Sequence, residues 1–214
     1  MKYKTEQEAF WSGEFGNHYI ERNECTRELM ASATGFFARI LSRTNGIKSV
    51  IEFGSNIGNN LKAIKMLIPD VRTAAIEINH QAAEHLREDK FFENQLEVYE
   101  DSILEYDPVK IYDMALISGV LIHINPEELQ HVYEKLYVSS GKYICISEYY
   151  NPVPVEVSYR GHESRLFKRD FAGEFLDKYP DCRLVDYGFQ YHRDSCFPKD
   201  DVTWFLLEKM GKKQ

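Results

Sequence analysis

Residues 49–68 constrain the fold of this chain more than any other stretch. A short apolar run ends at Glu52, a turn carries Gly54 and Gly58, and an apolar segment of helical spacing follows. Glycine lacks a Cβ, so the backbone can turn sharply there and a ligand can come close. The free amides of a helix that begins at Gly58 or Asn59 would face that ligand. The pattern predicts a strand, a tight loop and a helix, which in an open α/β sheet holds a nucleoside-containing cofactor.

The rest of the chain continues this alternation of strands and helices. Apolar periodicity predicts five strands, at 48–53, 72–77, 95–99, 111–117 and 142–148. It predicts intervening helices at 58–68, 79–92 and 126–138, the last with a proline in its first turn. A later helix at 170–179 precedes two β-rich runs, 182–191 and 202–208, which are separated by too few residues for a helical crossover. We therefore expect a Rossmann-like α/β fold with a seven-stranded, mainly parallel sheet, a terminal antiparallel pair and helices on both faces.

The N-terminal part, residues 1–45, reads as a helical extension that precedes the sheet domain at 46–214, within one structural domain overall. Thr5 and Glu8 have the spacing of a capping box, which predicts a first helix. A longer helix is predicted near 24–41. The stretch between them, 11–23, combines aromatic and polar residues without periodicity, so we expect a loop that acts as a lid.

Composition excludes several classes of function. A net charge of -8 over 214 residues argues against a protein that coats nucleic-acid phosphates. The sequence has neither a signal-peptide pattern nor an apolar run near the roughly 20 residues that span a bilayer, so we expect a cytoplasmic protein without membrane contact. The cysteines are widely spaced, which favours buried free thiols over a disulfide framework or a metal site: Cys25, Cys145, Cys182 and Cys196.

Two further acidic residues follow the next two predicted strands. Glu77 ends the second strand, where a carboxylate can accept hydrogen bonds from both hydroxyls of a ribose. Asp101, followed by Ser102, comes after the third strand, where it could accept from an adenine amino group. Each could equally be a solvated strand-end charge or a turn cap. Their order along three consecutive strands favours a nucleoside cofactor.

The motifs at 52–58, Glu77 and 101–102 resemble those of the class I S-adenosylmethionine-dependent methyltransferases. The family's middle glycine is replaced by Asn56, a residue that tolerates left-handed backbone better than most. A narrower resemblance, to the methylases associated with pseudaminic acid biosynthesis, runs through nearly the whole chain. Its landmarks are segments 10–16, 19–23, 119–126, 148–152, 159–162, 167–174 and 186–189.

The resemblance implies S-adenosylmethionine as cofactor and S-adenosylhomocysteine as product. Aromatic rings can surround the positive sulfur, and Arg22 can pair with the methionine carboxylate, although it could also be a plain surface arginine. Backbone after the fourth strand would contact the methionyl part. The predicted cofactor residues are Trp11, Tyr19, Arg22, Glu52, Gly54, Ser55, Asn56, Gly58, Asn59, Glu77, Ile78, Asp101, Ser102, Ile103, Ser118, Gly119 and Val120.

A base and an acceptor site are predicted near the ends of strands four and five. His123 could accept a proton at neutral pH or simply bond backbone, and Glu148 with Tyr149 is the other catalytic candidate. The basic run at 159–169 could receive a carboxylate or phosphate, or pair with neighbouring Glu163 and Asp170. The predicted acceptor residues are Tyr150, Asn151, Tyr159, Arg160, His162, Lys168 and Arg169.

The resemblance thus implies a methyltransferase that acts on a small, anionic, sugar-type acceptor such as a nonulosonic sugar acid or its nucleotide conjugate, and we expect no metal. Two other classes stay open. One is a nicotinamide-dependent oxidoreductase. The poor match to Gly-x-Gly-x-x-Gly and the terminal antiparallel strand pair both argue against it. The other is a non-catalytic cofactor-binding partner protein. Neither the acceptor atom nor the oligomeric state can be predicted.

Overall fold

The computed structural model describes residues 3–93 and 95–211. Nine strands form two sheets: β1 Ser49–Phe53, β2 Arg72–Glu77, β3 Leu96–Glu100, β4 Tyr112–Ser118, β5 Ser140–Glu148, β6 Val155–Tyr159, β7 His162–Lys168, β8 Cys182–Gln190 and β9 Val202–Lys209. Seven α-helices accompany them: α1 Glu6–Ser12, α2 Glu14–Arg22, α3 Arg27–Leu41, α4 Asn59–Leu67, α5 His80–Glu88, α6 Leu129–Ser139 and α7 Phe171–Lys178. Short 3-10 helices cover Lys90–Phe92, Leu121–His123 and Pro126–Glu128.

The main sheet has seven strands in the order β3-β2-β1-β4-β5-β9-β8. Strands β1 to β5 are parallel, and β9 is antiparallel to both of its neighbours, β5 and β8. The predicted fold class and terminal antiparallel pair are confirmed. Strand β1 pairs with both β2 and β4, so the direction of winding reverses beside it, and ligands of open α/β sheets bind at such a point.

Apolar side chains fill both faces of the sheet. On one face Phe53 and Ile117 pack with α6 and α7, where Phe175 is fully buried. On the other, Val50 packs with α4 and with Phe37 of α3. Helix α3 therefore belongs to the core although it lies within the predicted N-terminal extension. The division at residue 45 stays a prediction.

The predicted lid loop at 11–23 is wrong, because most of it is helix α2. Gly13 ends α1 with extended backbone and also caps α2. Gly16 lies inside α2, where a Cβ would stand 1.8 Å from the Trp11 carbonyl oxygen. Both glycines read as loop residues in the sequence, but Gly13 separates two helices and Gly16 lets them pack closely. The next helix begins at Arg27, three residues later than predicted.

The sequence did not predict the second sheet, a hairpin of β6 and β7. Arg160 and Gly161 join its strands with φ of 53° and 85°, as the tight turns that suit a twisted hairpin require. The hairpin contains much of the basic run at 159–169. That run is therefore mostly strand and turn.

Among the described residues, no helix has the length and apolarity needed to cross a bilayer. The described cysteines are all free thiols. Cys145 and Cys182 are buried as predicted, whereas Cys25 and Cys196 are exposed, which contradicts the prediction for those two.

Candidate active site

The loop after β1 has three residues in left-handed conformation. Gly54, Asn56 and Gly58 have φ of 74°, 47° and 77°. A Cβ on Gly54 would stand 2.6 Å from Val120, and one on Gly58 would stand 2.7 Å from Leu86, so both glycines are required by sterics as well as by φ. Asn56 is left-handed although it is not glycine, and its Oδ1 accepts a hydrogen bond from the Ile57 amide at 2.8 Å. The substitution is compatible with the turn.

Glu77 closes this loop from the end of β2. Its side chain is 7% exposed, and its two oxygens accept from the backbone amides of Asn56 at 2.7 Å and Asn79 at 2.8 Å. Burial raises the pKa of Glu77, and these amides oppose that shift. A carboxylate has about four acceptor positions, so two remain for a ligand. Ile78 follows, partly exposed at the same edge.

Glu52 is buried below the loop at 1% exposure. Its Oε1 accepts from Asn60 at 2.7 Å, and Ser55 donates its hydroxyl to the Glu52 carbonyl oxygen at 3.1 Å. Its Oε2 has no hydrogen-bond partner in the described part of the chain. Burial raises the pKa of Glu52 to about 8.

The loop after β3 brings Asp101 to the same edge and connects it to α1. The Asp101 Oδ1 accepts from the Ser102 amide at 2.8 Å, and Ile103 is buried behind it. The Ser102 hydroxyl donates to Glu8 Oε1, while Glu8 Oε2 accepts from the Thr5 amide at 2.8 Å and completes the capping box of α1. The predicted capping glutamate therefore also joins the first helix to the candidate site.

The loop after β4 is supported by Glu148 at the end of β5. Gly119 has a φ of 69°, and Glu148 Oε1 accepts from the amides of Val120 and Leu121, both at 3.0 Å. Glu148 is 3% exposed, and its Oε2 has no partner among residues 3–93 and 95–211. Burial raises the pKa of Glu148 to about 7. One oxygen thus holds the loop that follows Ser118, and the other has no partner among the described residues.

His123 follows that loop and is 7% exposed. Its Nδ1 lies 2.5 Å from the Arg165 carbonyl oxygen. Because a carbonyl only accepts, Nδ1 carries the proton and Nε2 keeps its lone pair. Burial lowers the pKa of His123 to about 4, so the ring is neutral at pH 7 and is a weaker base than the sequence suggested.

Two aromatic side chains, Trp11 of α1 and Tyr159 of β6, lie against the His123 ring. The Trp11 ring centroid lies 4.6 Å from the His123 ring centroid. The Tyr159 ring centroid lies 4.8 Å from the His123 ring centroid. Tyr19 packs edge-on against Trp11 at 5.2 Å. Arg22 is exposed and stacks over the Tyr19 ring at 5.2 Å. Three of the predicted residues of the N-terminal segment are therefore close together.

Two asparagines fasten these helices to the strand ends. Asn79, 2% exposed, donates from Nδ2 to the Trp11 carbonyl at 3.3 Å and to Asn17 Oδ1 at 2.8 Å, while its Oδ1 caps α5. Asn59 donates to the Asn23 carbonyl at 2.7 Å. We call α1 and α2 the lid helices, since they are hydrogen-bonded to the loops after β1, β2 and β3.

The predicted basic cluster divides into paired and unpaired cations. Arg169 pairs with Glu174 at 2.6 Å, and Arg165 pairs with Glu6 at 3.2 Å, so neither uses the partners that we expected. Arg160 stacks on Tyr159 at 5.7 Å and Lys168 on Tyr149 at 5.1 Å. Neither Arg160 nor Lys168 forms an ion pair within the ranges that the structure describes.

The remaining acceptor candidates are more scattered. Tyr149 is partly buried, whereas Tyr150 is 43% exposed. The Asn151 side-chain amide donates to the Val153 carbonyl oxygen at 2.5 Å, so it is engaged within its own loop. His162 is exposed and packs edge-on against Phe10 at 5.0 Å. These residues lie at the hairpin end of the site and do not converge on one point.

Sequence reasoning missed Asn79 and Glu8 as site residues. The sequence does contain a clue to Asn79: it lies two residues after Glu77, just before a predicted helix, and asparagine is a common N-cap residue. Outside the site, His80, Glu84 and Glu100 lie close enough to hold a cation, but Arg87 pairs with both glutamates at 2.7 Å, which accounts for the cluster as an ion-pair network.

No family model matches the sequence, and no curated protein matches it either. Solved structures do match. A Burkholderia thailandensis 1,6-didemethyltoxoflavin N1-methyltransferase, bound to that acceptor and S-adenosylhomocysteine, is 15% identical with a TM-score of 0.67 over 95% of this chain and 86% of its own. The Synechocystis magnesium protoporphyrin IX methyltransferase with S-adenosylhomocysteine is 12% identical, with a TM-score of 0.69 over 94% and 97%. A plantazolicin methyltransferase with S-adenosylhomocysteine is 15% identical, with a TM-score of 0.64 over 95% and 93%. The chain shares their fold.

Proposed function

We propose that this chain is an S-adenosylmethionine-dependent methyltransferase. Glu77 carries the proposal: it is a buried carboxylate with two free acceptor positions, fixed by two backbone amides beside the left-handed loop after β1. A pair of vicinal hydroxyls is the ligand group that such a carboxylate binds well. The three structures described above, which share the fold, contain S-adenosylhomocysteine.

The residues present fit this cofactor. Gly54 and Gly58 leave space that side chains would fill, and the unpartnered Oε2 of buried Glu52 can accept from an ammonium group. Asp101 and Ile103 offer a polar and an apolar neighbour for a purine at the next strand end. When bound, the cofactor supplies a methyl group on a positively charged sulfur.

Catalysis by this chain would rest chiefly on positioning. Methyl transfer needs the acceptor atom, the methyl carbon and the sulfur in line, and little covalent help. Trp11, Tyr19 and Tyr159 can stabilise a nearby cation through their ring faces, and the lid helices can exclude water. His123 offers Nε2 and Glu148 offers Oε2 as proton acceptors, with Tyr149 beside Glu148. These catalytic roles are part of the proposal.

We further propose a small anionic acceptor, of the sugar-acid type that the pseudaminic acid methylase resemblance implies. Arg160 and Lys168 support it, because they are cations at one end of the site with no ion pair to another described residue. Tyr150, Asn151 and His162 can supply hydrogen bonds to sugar hydroxyls. Arg169 forms an ion pair with Glu174 of α7. It would therefore influence the acceptor only indirectly, by fixing where α7 lies.

Calorimetric titration tests the cofactor. We expect micromolar binding of S-adenosylmethionine and S-adenosylhomocysteine and no binding of NAD. Binding of NAD alone would contradict the proposal and support the oxidoreductase alternative. Turnover of any acceptor would separate an enzyme from a non-catalytic binding protein.

The acceptor prediction is tested with Arg160→Met in an assay of S-adenosylhomocysteine release over sugar acids, their nucleotide conjugates and neutral sugars. Loss of a charge-assisted hydrogen bond should raise KM for an anionic acceptor about tenfold or more and leave affinity for S-adenosylhomocysteine unchanged. Arg183→Met, which removes an exposed arginine paired with Glu208, is the control. Equal use of neutral sugars by the wild type would refute an anionic acceptor.

A further inference from the structure

Glu52 and Lys199 are two ionisable side chains that the site described above leaves without a full set of partners. Glu52 is buried, and its Oε2 accepts no hydrogen bond from the described residues. Because its pKa is about 8, the buried carboxyl group is mostly protonated at pH 7, and a cation beside Oε2 would favour its ionised form. Its place just before the loop after β1 puts that free oxygen at the carboxyl edge of the sheet.

Lys199 lies in the segment between β8 and β9, against Phe36. Phe36 packs in the same apolar cluster as Val50, and Glu52 lies on the Val50 face of β1 because alternate residues of a strand share a face. Helix α3 holds this segment, since Ser32 donates to the Pro198 carbonyl at 2.9 Å and the Phe197 ring lies against Gly35. The Lys199 Nζ stands 4.8 Å from the ring centroid of Phe36, which is itself 3% exposed. The ammonium is therefore turned inward, against the core helix.

The Lys199 ammonium donates no hydrogen bond to any residue in 3–93 or 95–211, although it has three donors. Burial lowers the pKa of Lys199, and the carboxylates that oppose this shift are Asp200 and Glu52. Lys199 in turn opposes the upward shift of the Glu52 pKa. Lys199 and Glu52 form no ion pair with each other in the described part of the chain, and the Glu52 Oε2 stays without a partner there.

A group that carries one positive and one negative charge would complete both side chains at once. We propose that Lys199 binds the carboxylate of the amino-acid end of S-adenosylmethionine, with Glu52 on the side of its ammonium group. This inference rests on the proposed function. It gives Lys199 the role of binding the methionine carboxylate, which the sequence analysis assigned to Arg22. Arg22 is exposed on α2 and its guanidinium stacks over two rings of the same segment, Phe15 and Tyr19.

The test compares ligands that differ only in this end. S-adenosylhomocysteine has both charges, decarboxylated S-adenosylhomocysteine keeps only the ammonium, and 5′-methylthioadenosine has neither. Calorimetry on Lys199→Met should show S-adenosylhomocysteine binding weakened about tenfold to hundredfold, as expected for a charge-assisted hydrogen bond. Affinity for the two ligands without a carboxylate should change by no more than about twofold.

Three variants make the result specific. Lys199→Arg keeps the charge and should retain most of the affinity for S-adenosylhomocysteine. Arg193→Met removes an exposed cation of the same segment and should leave all three affinities unchanged. Arg22→Met should have less effect than Lys199→Met if the assignment is right.

The outcomes separate this inference from the proposed function. Equal weakening of all three ligands in Lys199→Met would mean a structural role and overturn the inference, as would unchanged binding of S-adenosylhomocysteine. If the wild type binds none of the sulfur nucleosides, the proposed function fails and the inference fails with it. If Lys199→Met does not fold, the same comparison on Lys199→Gln decides.

Discussion

Single residues carry most of what is specific in this site, and their roles follow from which of their atoms are free. Glu77, Glu52 and Glu148 are all buried carboxylates at strand ends, yet they differ. Glu77 uses both oxygens on backbone amides and keeps spare acceptor positions, whereas Glu52 and Glu148 each have one oxygen without a described partner. A sequence shows three glutamates after strands. It does not show which oxygen is occupied.

Replacement of Glu77 by glutamine tests the ribose role. Glutamine keeps the shape but loses the negative charge and one acceptor, so we expect the affinity for S-adenosylhomocysteine to fall about tenfold to hundredfold. Calorimetry measures this, with a thermal melt to confirm that the variant is folded. Glu84→Gln, on the exposed surface of α5, is the control. Unchanged affinity would remove Glu77 from the ribose role.

Glu148 should make stability depend on pH. Its pKa is about 7 in the folded protein and near its usual 4.5 when unfolded, so the folded state binds more protons between those values. The contribution of Glu148 to the free energy of unfolding is then greatest below pH 4.5. It falls as the pH rises toward 7, by at most about 1.4 kcal/mol per pH unit. Urea unfolding from pH 5 to 7 measures the slope.

Glu148→Gln supplies the comparison for that slope. The amide oxygen can still accept from Val120 and Leu121, but the group no longer titrates. The free energy of unfolding of this variant should therefore fall less with pH than that of the wild type. Parallel slopes would show that Glu148 is ionised in the folded protein.

At the scale of elements, the lid helices and the hairpin mark the limit of what could be predicted. The five parallel strands were predictable because buried strands are continuous apolar runs with turn signals at both ends. Helix α2 was not, since Gly16 inside it and Gly13 just before it imitate a loop, and its aromatic residues pack in tertiary contacts. The β6–β7 hairpin was hidden because its strands are mostly exposed and its basic residues looked like a solvated run.

The candidate site was predictable in outline for a related reason. Residues at the ends of consecutive parallel strands necessarily meet at one edge, so Glu77 and Asp101 could be placed with the loop after β1. Lys199 could not, because its segment has no periodicity and its position depends on packing against α3. Long-range contacts of irregular segments leave no local pattern.

Asn79→Asp should loosen the lid helices. An aspartate keeps the oxygen that caps α5 but puts negative charge beside the Trp11 carbonyl and Asn17 Oδ1, where an amide donated before. We expect backbone amides of residues 6–22 to exchange hydrogen at least about tenfold faster, measured by mass spectrometry, with α5 unchanged. Asn60→Asp is a control that leaves this contact intact. Unchanged exchange in the lid helices would show that Asn79 does not hold them.

For the whole molecule, ligand binding should appear as stability. A ligand that binds only the folded state adds about 2.7 kcal/mol at 100 times its Kd, which raises Tm by roughly 5–10 °C for a chain of this size. We expect S-adenosylhomocysteine to produce this shift in a thermal melt and NAD to produce none. The same shift with NAD would indicate a site without selectivity for the sulfur nucleoside.

The position of β9 has a consequence for how the molecule is made. β9 lies between β5 and β8 in the sheet, yet it follows β8 in the chain, and its Trp204 and Leu206 are buried. During synthesis β8 therefore emerges before the strand that joins it to the sheet exists, and one side of the core stays open to water until β9 arrives. The parallel strands and the start of the site can form early, whereas Lys199 can reach Phe36 only after the segment between β8 and β9 has been made. A ribosome that pauses before β9 would hold a chain that has its glycine loop but an unfinished sheet.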